Sequence, residues 1–164
     1  MKKTDTTNKL VITRHFDAPR ALVWEAWTHP GKIKQWWGPK DFSCPHASID
    51  LRKGGSYLNC MRSPEGKEFW STGTYKKINA PSKLVCTDSF ADSEGNLVPA
   101  SYYGFEEDFP LTMEIVLQLD EINSKTRMTL KHIGIPAGDM TKETKRGWNQ
   151  SFDKLNAYLN TSAK

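Results

Sequence analysis

The sequence predicts an α+β fold in which a curved antiparallel sheet of about seven strands wraps around one long C-terminal helix. Six strand-like segments follow one another after two early helices, and most are joined by short turns, which favours an antiparallel meander. Residues 139–159 then carry apolar side chains at spacings of three and four, which is typical of a helix that packs by one face. A parallel sheet would need a helix between most strands, and none is predicted there.

The first strand and the two short helices are read from local patterns. Lys9–Phe16 alternates in hydrophobicity and is rich in β-branched residues, so it is predicted to be a strand. Residues 17–30 form the next helix, for which Asp17 is a plausible N-cap and Pro19 is tolerated in the first turn. A second short helix is predicted over residues 32–37.

Turn residues separate the later strands. Gly73 lies inside one of them and marks a bend or a bulge. Residues 91–110 show no clean period but hold several aromatic side chains, as functional or disordered loops of this length do. Asp139 is placed to cap the last helix. The remaining strands are predicted at residues 47–51, 56–62, 68–78, 83–90, 111–120 and 126–133.

A chain of 164 residues is most simply one domain, long enough to bury a core. We expect residues 1–8 to be a disordered lead-in, residues 9–160 to be the domain and residues 161–164 to be a tail. The first residues lack the apolar segment of a secretory signal, and no apolar run approaches the length of a membrane span. We therefore expect a cytoplasmic protein with no membrane insertion.

Charge and cysteine content exclude several classes of function. The net charge of +4 is spread along the whole chain, whereas nucleic-acid proteins concentrate basic residues on one face or arm. The three cysteines form no CxxC pair and are interpreted as reduced thiols. The four histidines have no ligand spacing, so we expect neither a metal nor a cofactor.

No catalytic motif is present, and we assign no catalytic residue. An enzyme is not excluded, because general acid or base catalysis needs only one positioned group. The candidates for such a group are His132, Glu114 and Asp88. An acidic cluster at Glu106, Glu107 and Asp108 is interpreted as a solvated loop.

Several long segments together resemble the SRPBCC superfamily. They read ITRHFDAPRALVWEAWTHPGKIKQWWGP, IDLRKGGSY, KHIGIPAGD and GWNQSFDKLNAYL, and the resemblance covers residues 9–159. Within the superfamily the chain is similar to the group homologous to the activator of heat-shock-protein-90 ATPase. The resemblance implies the START-like helix-grip fold, which usually encloses an elongated hydrophobic cavity between sheet and helix. Members bind lipids, sterols, polyketides or plant metabolites, and a few catalyse cyclisation or condensation.

A cavity of this kind is the best candidate site. Asn59 and His132 are polar residues in otherwise apolar rows, so a ligand is one partner for them, and internal partners, water or an outward orientation are the alternatives. For the pair Trp36–Trp37, the alternative to a place in the cavity wall is that both residues belong to the core. Gly147 marks either open space or close packing. The predicted wall comprises Trp36, Trp37, Phe42, Tyr57, Asn59, Met61, Trp70, Thr72, Met113, Met128, His132, Gly147, Trp148, Ser151 and Phe152.

Three functions are compatible with these features. The first is a binding or carrier domain that holds a small hydrophobic ligand between the sheet and the C-terminal helix. The second is a cyclase, hydrolase or detoxifying enzyme that acts on a hydrophobic aromatic metabolite in the same cavity. The third is a module that regulates a chaperone ATPase. We do not expect this function, because the co-chaperone that names the similar group carries a separate N-terminal docking domain, whereas only about eight residues precede the first strand here. The protein is expected to be a monomer or a homodimer and to bind no nucleic acid.

Overall fold

The computed structural model describes residues 9–105 and 108–162 and confirms the predicted α+β helix-grip architecture. Within these ranges, seven strands and three α-helices follow one another in the expected order. A short 3-10 helix, Ala100–Tyr103, interrupts the long loop between the fifth and sixth strands. The elements are β1 (Lys9–Phe16), α1 (Arg20–Thr28), α2 (Pro30–Ile33), β2 (Ser43–Ile49), β3 (Ser56–Arg62), β4 (Glu68–Asn79), β5 (Lys83–Ala91), β6 (Met113–Ile122), β7 (Lys125–Ile133) and α3 (Asp139–Ser162).

The strands form one antiparallel sheet in the order β1-β7-β6-β5-β4-β3-β2. Each strand from β2 to β7 pairs with its neighbour in the chain, and β1 joins the far edge beside β7. Side chains alternate between two faces along every strand. The face that packs on the helices is called the inner face below.

The inner face and the three helices enclose the hydrophobic core. Strands β6 and β7 supply fully buried side chains such as Leu117, Met128 and Leu130, and α3 supplies Phe152 and Leu155. The alternation on these strands and the spacing on α3 are the patterns that predicted them. Burial of these side chains is the main stabilising contribution in such a domain.

Helix α1 begins differently from the prediction. Its first residue is Arg20, after Pro19, and no side-chain hydrogen bond from Asp17 caps it. Asp17 is instead exposed and lies 4.0 Å from Lys125. The free backbone N–H of Arg20 donates to the Glu121 carboxylate on β6 over 2.9 Å. A residue distant in sequence thus replaces the predicted local cap. The prediction that Asp17 is the N-cap was wrong.

Other element boundaries also differ from the prediction. The second helix spans Pro30–Ile33 rather than residues 32–37, because Pro30 at its start suits the first turn and Trp37 is already in the following loop. Strand β2 is Ser43–Ile49 rather than residues 47–51. Leu111 is 53% exposed and precedes β6, which begins at Met113.

The long segment predicted over residues 91–110 is tied to the sheet in its described part. The buried Tyr103 hydroxyl donates to the carbonyl oxygen of Ala91 and accepts from the backbone N–H of Trp70 over 3.0 Å. The Tyr103 ring also lies beside those of Phe69 and Phe90. Asp108 is exposed, whereas Glu106 and Glu107 lie outside the described residues, as do the predicted lead-in at residues 1–8 and residues 163–164.

Helix α3 holds the loop that follows α2. The half-buried Lys154 ammonium donates to three backbone carbonyl oxygens of this loop, and burial lowers the pKa of Lys154 below its usual value. Three donors on one ammonium suit this task, since each carbonyl would otherwise lose a partner. The acceptors are Gly38 at 2.9 Å, Pro39 at 3.2 Å and Phe42 at 3.0 Å.

Candidate functional site

A small cavity of about 30 Å³ lies on the inner face of the sheet. It is bounded by strands β2 to β6 on one side and by α1, α2 and Trp37 on the other. No residue of α3 lines it. Its walls are Trp27, Ile33, Trp37, Ile49, Tyr57, Asn59, Tyr75, Leu84, Cys86, Ile115 and Leu117. This cavity therefore lies under the two short helices, and not directly beneath the long one.

A layer of tryptophans separates this cavity from α3. Trp27 of α1 contacts Trp37 and Trp148, with ring centroids 6.2 and 6.0 Å apart. Trp37 meets Trp148 edge-on at 5.5 Å, and Trp148 stacks on Phe152 at 5.4 Å. Trp36 is fully buried in this layer, and its indole N–H donates to the carbonyl oxygen of Ala26 over 3.0 Å. Such ring contacts favour edge-on or offset geometries, as found here.

Four polar side chains from four elements meet beside the tryptophan layer, and we call them the polar network. The Tyr57 hydroxyl of β3 donates to Asp88 Oδ1 of β5 over 2.9 Å. Asp88 Oδ2 lies 3.1 Å from Nε2 of the buried His132 on β7. The indole N–H of Trp148 on α3 donates to His132 Nδ1 over 3.1 Å. The network therefore joins the sheet to the long helix.

Hydrogen-bond directions define the tautomer of His132. Because Nδ1 accepts from Trp148, the proton of the neutral ring lies on Nε2, which faces the Asp88 carboxylate. Nε2 lies 3.1 Å from the Asp88 carboxylate, but its N–H direction is not aligned as a good hydrogen bond. Both ring nitrogens thus face protein groups, an arrangement that suits fastening better than proton transfer to a substrate.

Gly73 allows Tyr57 to reach this network. A Cβ at Gly73 would lie 1.8 Å from the carbonyl oxygen of Thr87 and 2.6 Å from the Tyr57 ring. The tyrosine therefore crosses β4 over the glycine, and its hydroxyl oxygen also lies 3.1 Å from the carbonyl oxygen of Thr87. The bulge in β4 lies between Tyr75 and Lys77, so Gly73 marks a close approach and not the bulge. Burial raises the pKa of Tyr57 well above its usual value, so its hydroxyl remains a donor.

Three of the predicted wall residues, Trp37, Tyr57 and Asn59, line the cavity. Most of the others contribute to the inner-face packing around it. Trp36, Met113, Met128, Ser151 and Phe152 are buried, and His132 and Trp148 belong to the polar network. Phe42 lies half-buried with its ring 6.3 Å from that of Phe69, and the half-buried Met61 is paired with Phe69 across β3 and β4.

Two predicted wall residues lie on the other side of the sheet. Trp70 pairs with Cys60, and Thr72 pairs with Leu58, whereas Tyr57 and Asn59 pair with Gly73 and Ser71. A shift of one residue exchanges the two faces of a strand, so Trp70 and Thr72 point away from the cavity.

Gly147 does not border the cavity either. A Cβ at this position would meet Pro39 Cγ at 3.6 Å, an ordinary van der Waals distance. The space beside Gly147 is therefore occupied by the loop that Lys154 holds.

Sequence reasoning missed most of the apolar wall and one partner in the network. Trp27 lies in the helix predicted over residues 17–30, but nothing in a helical period distinguishes a cavity residue from a core residue. Asp88 was named as a candidate acid or base without its partners, which lie 31 and 44 positions away along the chain. Alternation along β5, with Cys86 and Asp88 on one face, was the available signal.

Thiols and metal ligands add no second site in the described part of the chain. Cys44, Cys60 and Cys86 are free and buried, and burial raises the pKa of each thiol. Among residues 9–105 and 108–162, no group of three or more His, Cys, Asp or Glu side chains is arranged to hold a metal ion. No helix in those same ranges is long and apolar enough to cross a membrane.

The sheet wrapped around α3 and the aromatic cavity beside it define a helix-grip domain of the START-like, SRPBCC class. The chain belongs to the family described as "Activator of Hsp90 ATPase homolog 1-like protein", whose profile matches residues 17–160. No curated protein matches the chain.

Solved bacterial structures share this fold. A protein from Nitrosomonas europaea is 24% identical, with 97% of this chain and 98% of that one covered and a TM-score of 0.76. One from Staphylococcus epidermidis is 26% identical, with 99% and 93% covered and a TM-score of 0.74. An AHSA1 protein from Silicibacter pomeroyi is 19% identical, with 94% and 99% covered and a TM-score of 0.77. At this level of identity the similarity supports the architecture.

Proposed function

We propose that this protein binds a small hydrophobic molecule in the cavity between the sheet and the two short helices, as a binding or carrier domain. The observation that carries the proposal is the cavity itself, whose walls are mainly aromatic and aliphatic with a few polar groups, Asn59 among them. Ligand sites are typically apolar pockets with a few placed polar groups. The fold class, whose members commonly bind ligands, supports the same conclusion.

The cavity must widen to admit such a ligand. Its volume of about 30 Å³ accommodates one or two water molecules, whereas pockets for small organic ligands measure roughly 300–1,000 Å³. Trp37 is the wall residue best placed to move, because it is half-buried and lies just after α2. Displacement of its ring would open the cavity toward the loop that Lys154 holds.

The polar network gives less support to an enzyme. A general base needs a free nitrogen or oxygen within hydrogen-bond reach of the substrate. His132 has Trp148 on one nitrogen and Asp88 opposite the other, and Tyr57 donates to the second oxygen of Asp88. The geometry therefore favours binding over catalysis.

A titration with apolar aromatic compounds and fatty acids, followed by tryptophan fluorescence and calorimetry, tests the proposal. The variant Ile49→Phe enlarges a half-buried side chain that lines the cavity, and Ile78→Phe makes the same change at a half-buried core residue outside it. We expect saturable binding that Ile49→Phe weakens by about tenfold or more and that Ile78→Phe preserves. Absence of saturable binding to the wild type, or equal affinities in both variants, would exclude this site.

A further inference from the structure

Within the described ranges, two residues that line the cavity each carry a buried polar atom with no hydrogen-bond partner. They are the indole nitrogen Nε1 of Trp27, a residue 5% exposed, and the amide oxygen Oδ1 of Asn59, a residue 2% exposed. Both residues line the same cavity of about 30 Å³. Buried polar groups without partners are rare and call for a specific explanation.

Neighbouring polar groups are satisfied, which makes these two atoms stand out. The Tyr57 hydroxyl donates to Asp88, and the Trp36 indole donates to Ala26. The remaining unmatched atom in the described ranges, His132 Nε2, lies 3.1 Å from a carboxylate oxygen. The other two buried side-chain atoms without a partner in the described ranges thus both belong to residues that line the cavity.

The chemistry of the two atoms selects the partner. An indole nitrogen only donates a hydrogen bond, and an amide oxygen only accepts one. A hydroxyl group is neutral and does both, so it pairs with each of them. A carboxylate has no proton to donate to the amide oxygen of Asn59, and it would bring a charge into a wall that holds no lysine or arginine.

We propose that Trp27 and Asn59 form a hydroxyl-recognition site, and that the ligand is an apolar molecule carrying an alcohol or phenol group. This inference rests on the proposed function, since the ligand must enter the same cavity. The hydroxyl accepts from Trp27 Nε1 and donates to Asn59 Oδ1. The apolar part of the molecule contacts the aliphatic and aromatic walls.

Matched ligands separate the polar contact from hydrophobic binding. Calorimetry with 2-naphthol, naphthalene and 2-naphthoate measures the effect of a hydroxyl, a hydrogen and a carboxylate on one ring system. We expect wild-type protein to bind 2-naphthol about tenfold more tightly than naphthalene, and 2-naphthoate more weakly than 2-naphthol. This preference is the direct signature of the site.

Two variants assign the preference to its residues. Asn59→Leu removes the acceptor with little change in side-chain size, and Trp27→Phe removes the donor. We expect each to reduce the naphthol-to-naphthalene affinity ratio by about threefold or more while naphthalene still binds. Trp24→Phe, a matched change at a buried tryptophan of the same helix outside the cavity, should leave the ratio unchanged.

The possible failures are distinguishable. If both naphthalene and 2-naphthol bind with equal affinity, or if the ratio survives both Asn59→Leu and Trp27→Phe, the hydroxyl site is wrong and the binding function stands. If none of the three compounds binds wild-type protein, and the wider panel also fails, the proposed function and this inference are both overturned. Thermal unfolding of each variant confirms that it is folded before its affinities are compared.

Discussion

The indole N–H of Trp148 donates a hydrogen bond to Nδ1 of the buried His132 over 3.1 Å, and this contact fastens α3 to the inner face of β7. It is the helix end of the polar network, which continues through Asp88 to Tyr57. A neutral His132 that accepts at Nδ1 carries its proton on Nε2. The network therefore specifies both the position of the helix and the tautomer of the histidine.

Replacing Trp148 with Phe should destabilise the fold by about 1–3 kcal/mol, because it leaves a buried imidazole nitrogen without its donor. Urea unfolding of Trp148→Phe measures the loss. Trp24→Phe is the control, since Trp24 is buried and its indole makes no hydrogen bond in the described ranges. Long-range ¹H–¹⁵N spectra of the wild type should show the His132 proton on Nε2. A proton on Nδ1 would contradict the assigned direction of the bond.

Replacing Gly73 with Ala should cost several kcal/mol and displace Tyr57. The added methyl would lie 1.8 Å from the Thr87 carbonyl oxygen and 2.6 Å from the Tyr57 ring, and the backbone atom cannot yield easily. The loss should therefore exceed the typical cost of about 1 kcal/mol for a single substitution. Tyr57→Phe in the Gly73→Ala background tests the coupling, since the second change should cost less there than in the wild type. Additive losses would contradict the proposed crossing of Tyr57 over Gly73.

Most of the fold could be predicted because its signals are local. Strand β1 and the start of α3 were placed at the observed residues, since alternation and the three-to-four spacing report directly on which side chains are buried. The start of α1 could not be predicted, because its cap is the carboxylate of Glu121 on a distant strand. Local patterns identify elements, whereas contacts between distant residues decide where they begin and end.

The candidate site was harder to predict than the fold. On β4 the aromatic residues Phe69 and Trp70 are adjacent, so alternation alone could not say which one faces inward, and the inner row proved to be that of Phe69. The position of the cavity under α1 and α2 depends on how Trp27 and Trp37 pack against α3. That packing involves α1, the loop after α2 and α3, so the hydrophobic period of no single element reveals it.

Stability should fall as the pH rises above about 9. Burial raises the pKa of the Cys86 thiol far above its usual value of 9.0, so the folded protein keeps a proton that the unfolded chain releases. Stability from such a group is complete below pH 9 and is lost above it, by up to about 1.4 kcal/mol per pH unit. Unfolding of the wild type and of Cys86→Ala at pH 7 and pH 10.5 measures the difference.

Cys86→Ala should lose less stability than the wild type between pH 7 and pH 10.5. Cys44→Ala is the control, because backbone hydrogen bonds partly offset the desolvation that raises the pKa of Cys44. Its effect on the pH dependence should be smaller. Identical pH profiles for the wild type and Cys86→Ala would show that Cys86 does not contribute to alkaline lability.

Replacing Lys154 with Met should release the loop that follows α2. The substitution removes an ammonium that donates to three backbone carbonyls while keeping most of the apolar stem. We expect faster amide hydrogen exchange in the loop and a loss of about 1 kcal/mol, a modest value because the group is only half-buried. Lys142→Met, an exposed position on the same helix, is the control. Unchanged exchange near Gly38 would contradict the role of the lysine.

Replacing Gly147 with Ala should stabilise the protein by about 0.5–1 kcal/mol. Glycine in a helix interior is unfavourable by roughly this amount relative to alanine. The new Cβ would have its nearest neighbour, Pro39 Cγ, at 3.6 Å, so the methyl adds contact without a clash. Thermal and urea unfolding measure the gain, which should appear without a change in ligand affinity, because Gly147 does not line the cavity. A loss of stability would mean that the loop at Pro39 packs more closely on α3 than this structure shows, and a loss of binding alone would place the ligand against α3 and not under the short helices.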